Sequence, residues 1–391
     1  MEILNSYGKI EYSRMEDSVS SRIKFAVLFF AILLLPIYTF GSGGVQPPHF
    51  LFLIFFISII ASGSTILPKW IICFLLLVLY VSVVEGFYAF TTGNSRGMVH
   101  GLYYSFNFLV VLSVYGFLTS DRLANLKWAL VGATGIALLG VLTISSGTVV
   151  SGGAGRAVGT FNNPNQLGYF SVCIGSIFFL LFRAGYLHYL SCMLLVGAAT
   201  LLAIFSLSKA AMIALSFMLA FQAAPKKLTV KSFIFSAVFL GIVGLSISYL
   251  LVGGYLDEFR FYNRLANMQN ESDSSLEVRG YLAFLQGSDM QIIFGLGDNT
   301  TKSILGYEVH STFMNVMTNY GVIGLVLLLM FLSNWVIAIW RSFGFSAVCG
   351  VCGPSMLYGI THNGMRFTAF WILIALSFSL AYSCRKNVNY R

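Results

Sequence analysis

VIGLVLLLMFLSNWVIAI, residues 322–339, runs the length of a bilayer crossing without one charged side chain. As a helix it reaches about 27 Å, close to the roughly 30 Å hydrocarbon core of a membrane. Runs of the same kind recur at 25–40, 50–67, 70–91, 98–118, 128–145, 167–182, 189–207, 210–224, 233–251, 345–360 and 367–384. The chain of 391 residues is 57% hydrophobic and 9% charged, with mean hydropathy +0.82, whereas soluble domains are about one-quarter charged. The expected fold is therefore all-α, a polytopic integral membrane protein with about twelve transmembrane helices. No cleavable signal pattern opens the sequence, so the N-terminus is expected to be retained.

Lysine and arginine set the expected orientation, because translocated loops are depleted in them. With both termini inside, alternate connections hold Lys9, Arg14, Arg22 and Lys24; Lys69; Arg122 and Lys127; Arg183; Lys226, Lys227 and Lys231; Arg341; and Arg385, Lys386 and Arg391. The net charge of +9 is thus chiefly a topology signal, and nucleic acid is not an expected partner. The expected division is a cytoplasmic tail at 1–24, nine spans over 25–252, a large outer loop at 253–309, three spans over 310–384 and a short tail at 385–391. The six cysteines fall within or at the ends of spans and read as packing residues; the pair Cys349 and Cys352 has no further ligands nearby in sequence. Trp70, Trp128, Trp335 and Trp340 suit an interfacial aromatic belt.

Eight basic residues remain on the side where the bias disfavours them. Arg96, Arg156, Lys209 and Arg366 stand nearly alone in short outer connections, and Arg260, Arg264, Arg279 and Lys302 lie in the long loop. Snorkelling or pairing with carboxylates accounts for such residues singly. As a set they suit a multiply charged anion at the membrane surface, since guanidinium groups grip phosphate oxygens. The long loop also carries eight of the 14 acidic residues, read as a largely solvated face. Within it SLEVRGYLAFLQG (275–287) reads as an amphipathic helix with Leu276, Tyr281, Leu282 and Leu285 on one side, and IIFGLGDN (292–299) as a strand or turn ending in glycines. A small folded subdomain above the membrane is expected. His310 follows at the boundary, where an imidazole of near-neutral intrinsic pKa can take a proton from a hydroxyl.

In GRAVGTFNNPNQLGYF (155–170), Pro164 suits a helix start, Asn162 or Asn163 can cap the first turn, and Gly155 and Gly159 permit tight turns that present Arg156 beside a helix N-terminus. GTFNNPNQLGYF, SLEVRGYLAF followed by FGLGDN, and HSTFMNVMTNYG with its span from His310 to Gly321 occur in that order. Together they resemble the bacterial O-antigen polymerase and O-antigen ligase superfamily (Wzy and WaaL). Two departures stand out. Lys209 and Ile213 in SLSKAAMIAL replace the arginine and leucine of the ligases' R-x3-L, and serine rather than asparagine follows His310.

The resemblance implies a GT-C-like architecture with an outward-facing cavity. It implies a donor glycan carried on undecaprenyl diphosphate and an acceptor hydroxyl on a second lipid-linked repeat unit. His310 is then the general base, with Arg279 and Lys209 on the leaving diphosphate and Arg156, Arg260, Arg264, Arg366, Asn162 and Asn163 as further substrate contacts. No metal or other cofactor is expected: the sequence holds no D-x-D, and the family is metal-independent. Direct displacement would invert the anomeric centre. A flippase and a chain-length regulator are the implied protein partners, and the inner membrane the implied location. Two alternatives stand beside this reading. One is a ligase transferring the same glycan to lipid A-core; the other is a polytopic lipid or solute transporter, which would place ionisable residues at midmembrane.

Overall fold

The computed structural model describes residues 19–41, 44–63, 67–118, 120–144, 156–222 and 280–388. Among them the regular structure is entirely helical. In chain order the helices are α1 (Val19–Leu33), α2 (Pro47–Ala61), α3 (Ile72–Thr92, entered through a 3-10 turn at Lys69–Ile71), α4 (Met98–Phe117), α5 (Ser120–Ile144), α6 (Pro164–Arg183), α7 (Tyr189–Ser206) and α8 (Lys209–Gln222). Two short helices follow, α9 (Asp289–Phe294) and α10 (Asp298–Leu305). The chain closes with α11 (Thr312–Phe343), α12 (Phe345–Thr361, carrying a π-turn at Val348–Cys352) and α13 (Thr368–Val388). Among the described residues six helices are long and apolar enough to cross a membrane, α3 to α7 and α11, and α2, α8, α12 and α13 are shorter apolar helices. The protein is a membrane-embedded helical bundle. The stretch at 233–251 lies outside the described residues; each of the other stretches read as spans overlaps a helix, with 25–40 and 50–67 running past the ends of α1 at Leu33 and α2 at Ala61.

Helix α6 is the axis of the bundle. Nearly its whole surface is buried, and it packs against α7, α8, α12 and α13. Close approach depends on small residues, as expected between helices that gain no hydrophobic energy from leaving lipid. A Cβ at Gly175, for example, would come within 3.1 Å of Leu215 and Met218 of α8. By contrast α3 and α7 bury only about a third of their spanning stretches and turn the remainder to the surroundings. Aromatic rings knit α3 to α13, with Phe74 stacked on Trp371 at 4.4 Å and Trp70 on Phe378 at 3.6 Å. Trp335 is fully buried in this core, so it belongs to packing and not to an interfacial belt. Trp128 and Trp340 are exposed.

The alternation of the helices gathers the connections at two ends. One end holds Arg122, which donates to Phe117 O and Ser21, and Arg183, which donates to Ser346 Oγ. The other holds the α1–α2, α3–α4, α5–α6, α7–α8 and α12–α13 connections with residues 280–311, and is called the loop end below.

Helix α11 is broken at Gly321, whose φ of +63° and ψ of −168° are not helical. The break releases the carbonyls of Thr318 and Asn319 from intrahelical bonding. They accept instead from the N–H groups of Leu296 (3.0 Å) and Gly297 (2.9 Å). The two backbones cross at Gly295 and Gly321: a Cβ on either would lie 2.2 Å from a carbonyl oxygen of the other segment. Residues 292–299 are therefore not a strand. Ile292–Phe294 complete α9, Gly295 and Gly297 turn the chain at positive φ while Leu296 and Gly297 pair with α11, and Asp298 opens α10. The described part of the expected amphipathic helix, 280–287, is a turn and a 3-10 helix at Ala283–Gln286, with Leu282 and Leu285 exposed. Its earlier residues, including Leu276, lie outside the described residues.

Candidate functional site

The loop end is assembled from segments far apart in sequence. Its first part is the α5–α6 turn. Gly159 reverses the chain at φ +57° against the backbone of Val141. Asn163 is the N-cap of α6, its Oδ1 accepting the Gln166 N–H at 2.9 Å, and Pro164 occupies the first helical position. Asn162 is a tether, its Nδ2 donating to Phe40 O of the α1–α2 connection at 2.7 Å. Replacing Asn163 with alanine is expected to cost about 1 kcal/mol, read as a modest fall in thermal stability in detergent, and to leave membrane insertion intact.

Arg156 is aimed inward by the turn. Its Nε donates to Ser206 O at 3.1 Å and one Nη to Asn165 Oδ1 at 2.7 Å, while the Ala157 N–H bonds Phe205 O at 3.0 Å. A cation at the carbonyl end of α7 is favoured by the helix dipole. Helix α7 ends because Leu207 adopts φ +49°, the one positive φ outside glycine among the described residues. The resulting elbow, Ser206 to Ser208, fits against α6 only because residue 168 is glycine; a Cβ there would lie 2.8 Å from that of Ser208. Lys209 then begins α8 three positions after the carbonyl that Arg156 grips.

A second set of contacts continues from Asn165. Tyr358 of α12 donates to Asn165 O at 2.7 Å, and its ring stacks on Tyr169 at 4.5 Å and on His362 at 4.6 Å. The His362 carbonyl accepts the Thr312 N–H (3.2 Å) and Oγ1–H (2.8 Å), and Thr312 Oγ1 accepts the Gly364 N–H at 2.9 Å. Ser311 caps α11, and His310, one residue earlier, is exposed. An unbroken chain of contacts thus runs from the α7–α8 elbow through Arg156, Asn165, Tyr358 and His362 to the start of α11. Three helices, α6, α8 and α11, begin here, and each contributes a positive terminus.

Beside this site lies a buried charged cluster. Asp298 Oδ2 contacts His100 Nε2 and Lys302 Nζ, each at 2.8 Å, and its backbone N–H donates to Glu85 Oε1 at 2.9 Å. Glu85 also accepts from the hydroxyl of Tyr320 at 3.1 Å. Burial pushes the Asp298 carboxyl up, but the hydrogen bond and charge of His100 together with those of Lys302 outweigh it and hold the group below the ordinary carboxylate value. Glu308 pairs with Arg366, accepts from Asn363 Nδ2 at 3.3 Å and lies 4.0 Å from Lys302. Asp298 is consequently no part of a solvated acidic face. Asp298→Ala is expected to destabilise by about 1–3 kcal/mol, since it leaves the buried His100 ring without its partner while Lys302 reaches solvent; a fall in melting temperature, only partly relieved in Asp298→Asn, checks this.

The nine residues singled out from sequence fare differently. Arg156, Lys209, His310, Asn162 and Asn163 all lie at the loop end, with the asparagines engaged in shaping the backbone. Arg366 lies there too, but its guanidinium is paired with Glu308 and lowered from its usual value by burial. Arg260, Arg264 and Arg279 lie outside the described residues. Sequence reading missed Asn165, Tyr358, His362 and His100; an asparagine within N-P-N and a histidine within T-H-N-G were the available signals. No protein-family model matches the chain, and no curated protein matches it.

Proposed function

We propose that this protein is a membrane glycosyltransferase that polymerises a surface polysaccharide, drawing on a glycan carried by undecaprenyl diphosphate. The supporting observation is the convergence at the loop end: one run of hydrogen bonds and ring stacks joins the elbow that precedes Lys209, through Arg156 and the N-P-N turn, to Thr312, two positions after the exposed His310. Two of the three residues that the superfamily resemblance implies for catalysis, His310 and Lys209, lie at this end; the third, Arg279, is outside the described residues.

In this reading His310 accepts the proton of an acceptor sugar hydroxyl. The hydroxyl oxygen bonds the anomeric carbon as the bond from that carbon to the phosphate oxygen breaks, and undecaprenyl diphosphate departs. Lys209 and Arg156, with three helix N-termini, stabilise the charge that grows on the leaving group. Arg279 is a further diphosphate contact by resemblance. Arg366, held by Glu308, shapes the site's edge. The loop end faces the periplasm of a bacterial inner membrane, about twelve spans complete a GT-C-like bundle, and the partners are lipid-linked repeat units with a flippase and a chain-length regulator.

The test is reconstitution in vesicles with a synthetic undecaprenyl-diphosphate oligosaccharide. A ladder of lengthened lipid-linked glycans is the expected product. Transfer only to added lipid A-core would replace this assignment with ligase, and donor left unconsumed under both conditions would remove the glycosyltransferase reading.

A further inference from the structure

The connection between residues 280 and 311 touches the bundle at an unexpected depth. The 3-10 turn and α3 together span Lys69–Thr92, about 36 Å of helix. The hydrocarbon layer is about 30 Å thick. Tyr80 stands near the middle of that length, roughly 16–18 Å from either end. With the whole of this stretch laid centrally across the layer, this residue lies about 12 Å or more inside it. Its hydroxyl donates to Phe294 O at 2.8 Å. Side chains on a helix lean toward its N-terminus, so the leaning carries that contact further from the loop end.

Two more observations agree. Irregular backbone at membrane depth is tolerated only when its polar groups are satisfied within the protein. The N–H groups of Gly295, Leu296, Gly297 and Asp298 donate to Gln291 O, Thr318 O, Asn319 O and Glu85 Oε1, and the carbonyls of Phe294 and Gly295 accept from Tyr80 and Tyr88. Met290, Ile293 and Phe294 are nevertheless exposed. Val83 and Phe87, at helical spacing from Tyr80 on α3, and Val326, five positions after Gly321 on α11, are exposed apolar residues as well.

We propose that residues 289–298 form a re-entrant hairpin whose apolar side, Met290, Ile293 and Phe294, is seated among the lipid acyl chains between α3 and α11. Helix α9 descends from the polar positions Ser288 and Asp289, the glycine crossing turns the chain at depth, and α10 returns it. The argument is independent of the catalytic reading.

The wild-type protein suffices for the test, so no variant need fold. It is reconstituted in phosphatidylcholine vesicles containing a phospholipid with a diazirine in midchain, irradiated, and mapped by mass spectrometry, with Val83, Phe87 and Val326 as internal references. The hairpin is expected to carry adducts on Met290, Ile293 or Phe294 at the yield of those reference positions, and none at Ser288. Adducts on the reference positions with loss of labelling across 290–294 would overturn it, placing the segment above the bilayer.

Discussion

His310→Ala is expected to insert at wild-type levels and to lose about 10²–10⁴-fold in the rate of glycan lengthening, the usual contribution of a positioned general base. The residue is exposed and precedes the cap of α11, whose hydrogen bond comes from Ser311. The helix start therefore survives the substitution, and the loss should fall on turnover with donor binding spared. His362→Ala is the natural control. It removes a ring stacked on Tyr358 while keeping the backbone carbonyl that holds Thr312, so it should disturb the site less than loss of the base. Single-turnover rates in reconstituted vesicles separate the two. An unchanged rate for His310→Ala would move the base elsewhere.

Gly321→Ala and Gly295→Ala are each expected to abolish the folded protein, a cost beyond the roughly 4–5 kcal/mol that marks exceptional substitutions. Both positions have positive φ, +63° and +95°. At both, the added methyl would meet backbone and not a side chain able to swing away, 2.2 Å from Ile293 O or Asn319 O. Gly306 provides the contrast. It has φ +75° with nothing within 4 Å of the added atom, so Gly306→Ala should cost only the left-handed backbone penalty, about 1–2 kcal/mol. Size-exclusion profiles of the extracted proteins decide the matter: a normal monodisperse peak for either crossing variant would show that the two segments separate without harm.

The membrane-embedded helical fold was legible in sequence because long apolar runs report directly on lipid. Helix limits were less legible where packing set them. Helix α1 stops ahead of Pro36, and α11 begins ten residues before its apolar run because Ser311 and Thr312 anchor it to the α12–α13 connection. The N-P-N turn was readable because capping and proline placement are local. Asp298 in the long loop was misread for the converse reason: composition assigns it to solvent, and the glycine crossing carries it to His100 and Glu85. Tyr358 and His362 acquire their place from contacts with Asn165 and Thr312, some 190 and 50 positions away, which no local pattern encodes.

The crossing of Gly295 and Gly321 also bears on how the protein is made. Residues 295–297 leave the ribosome before the carbonyls they must bind exist, since Thr318 and Asn319 are synthesised about a second or more later at ordinary rates of 5–20 residues per second. Through that interval the segment has only its earlier partners on α3, the two tyrosines and Glu85. Insertion of α11 then closes the crossing from behind, and any delay in that insertion leaves the two backbone donors of Leu296 and Gly297 waiting inside the nascent chain.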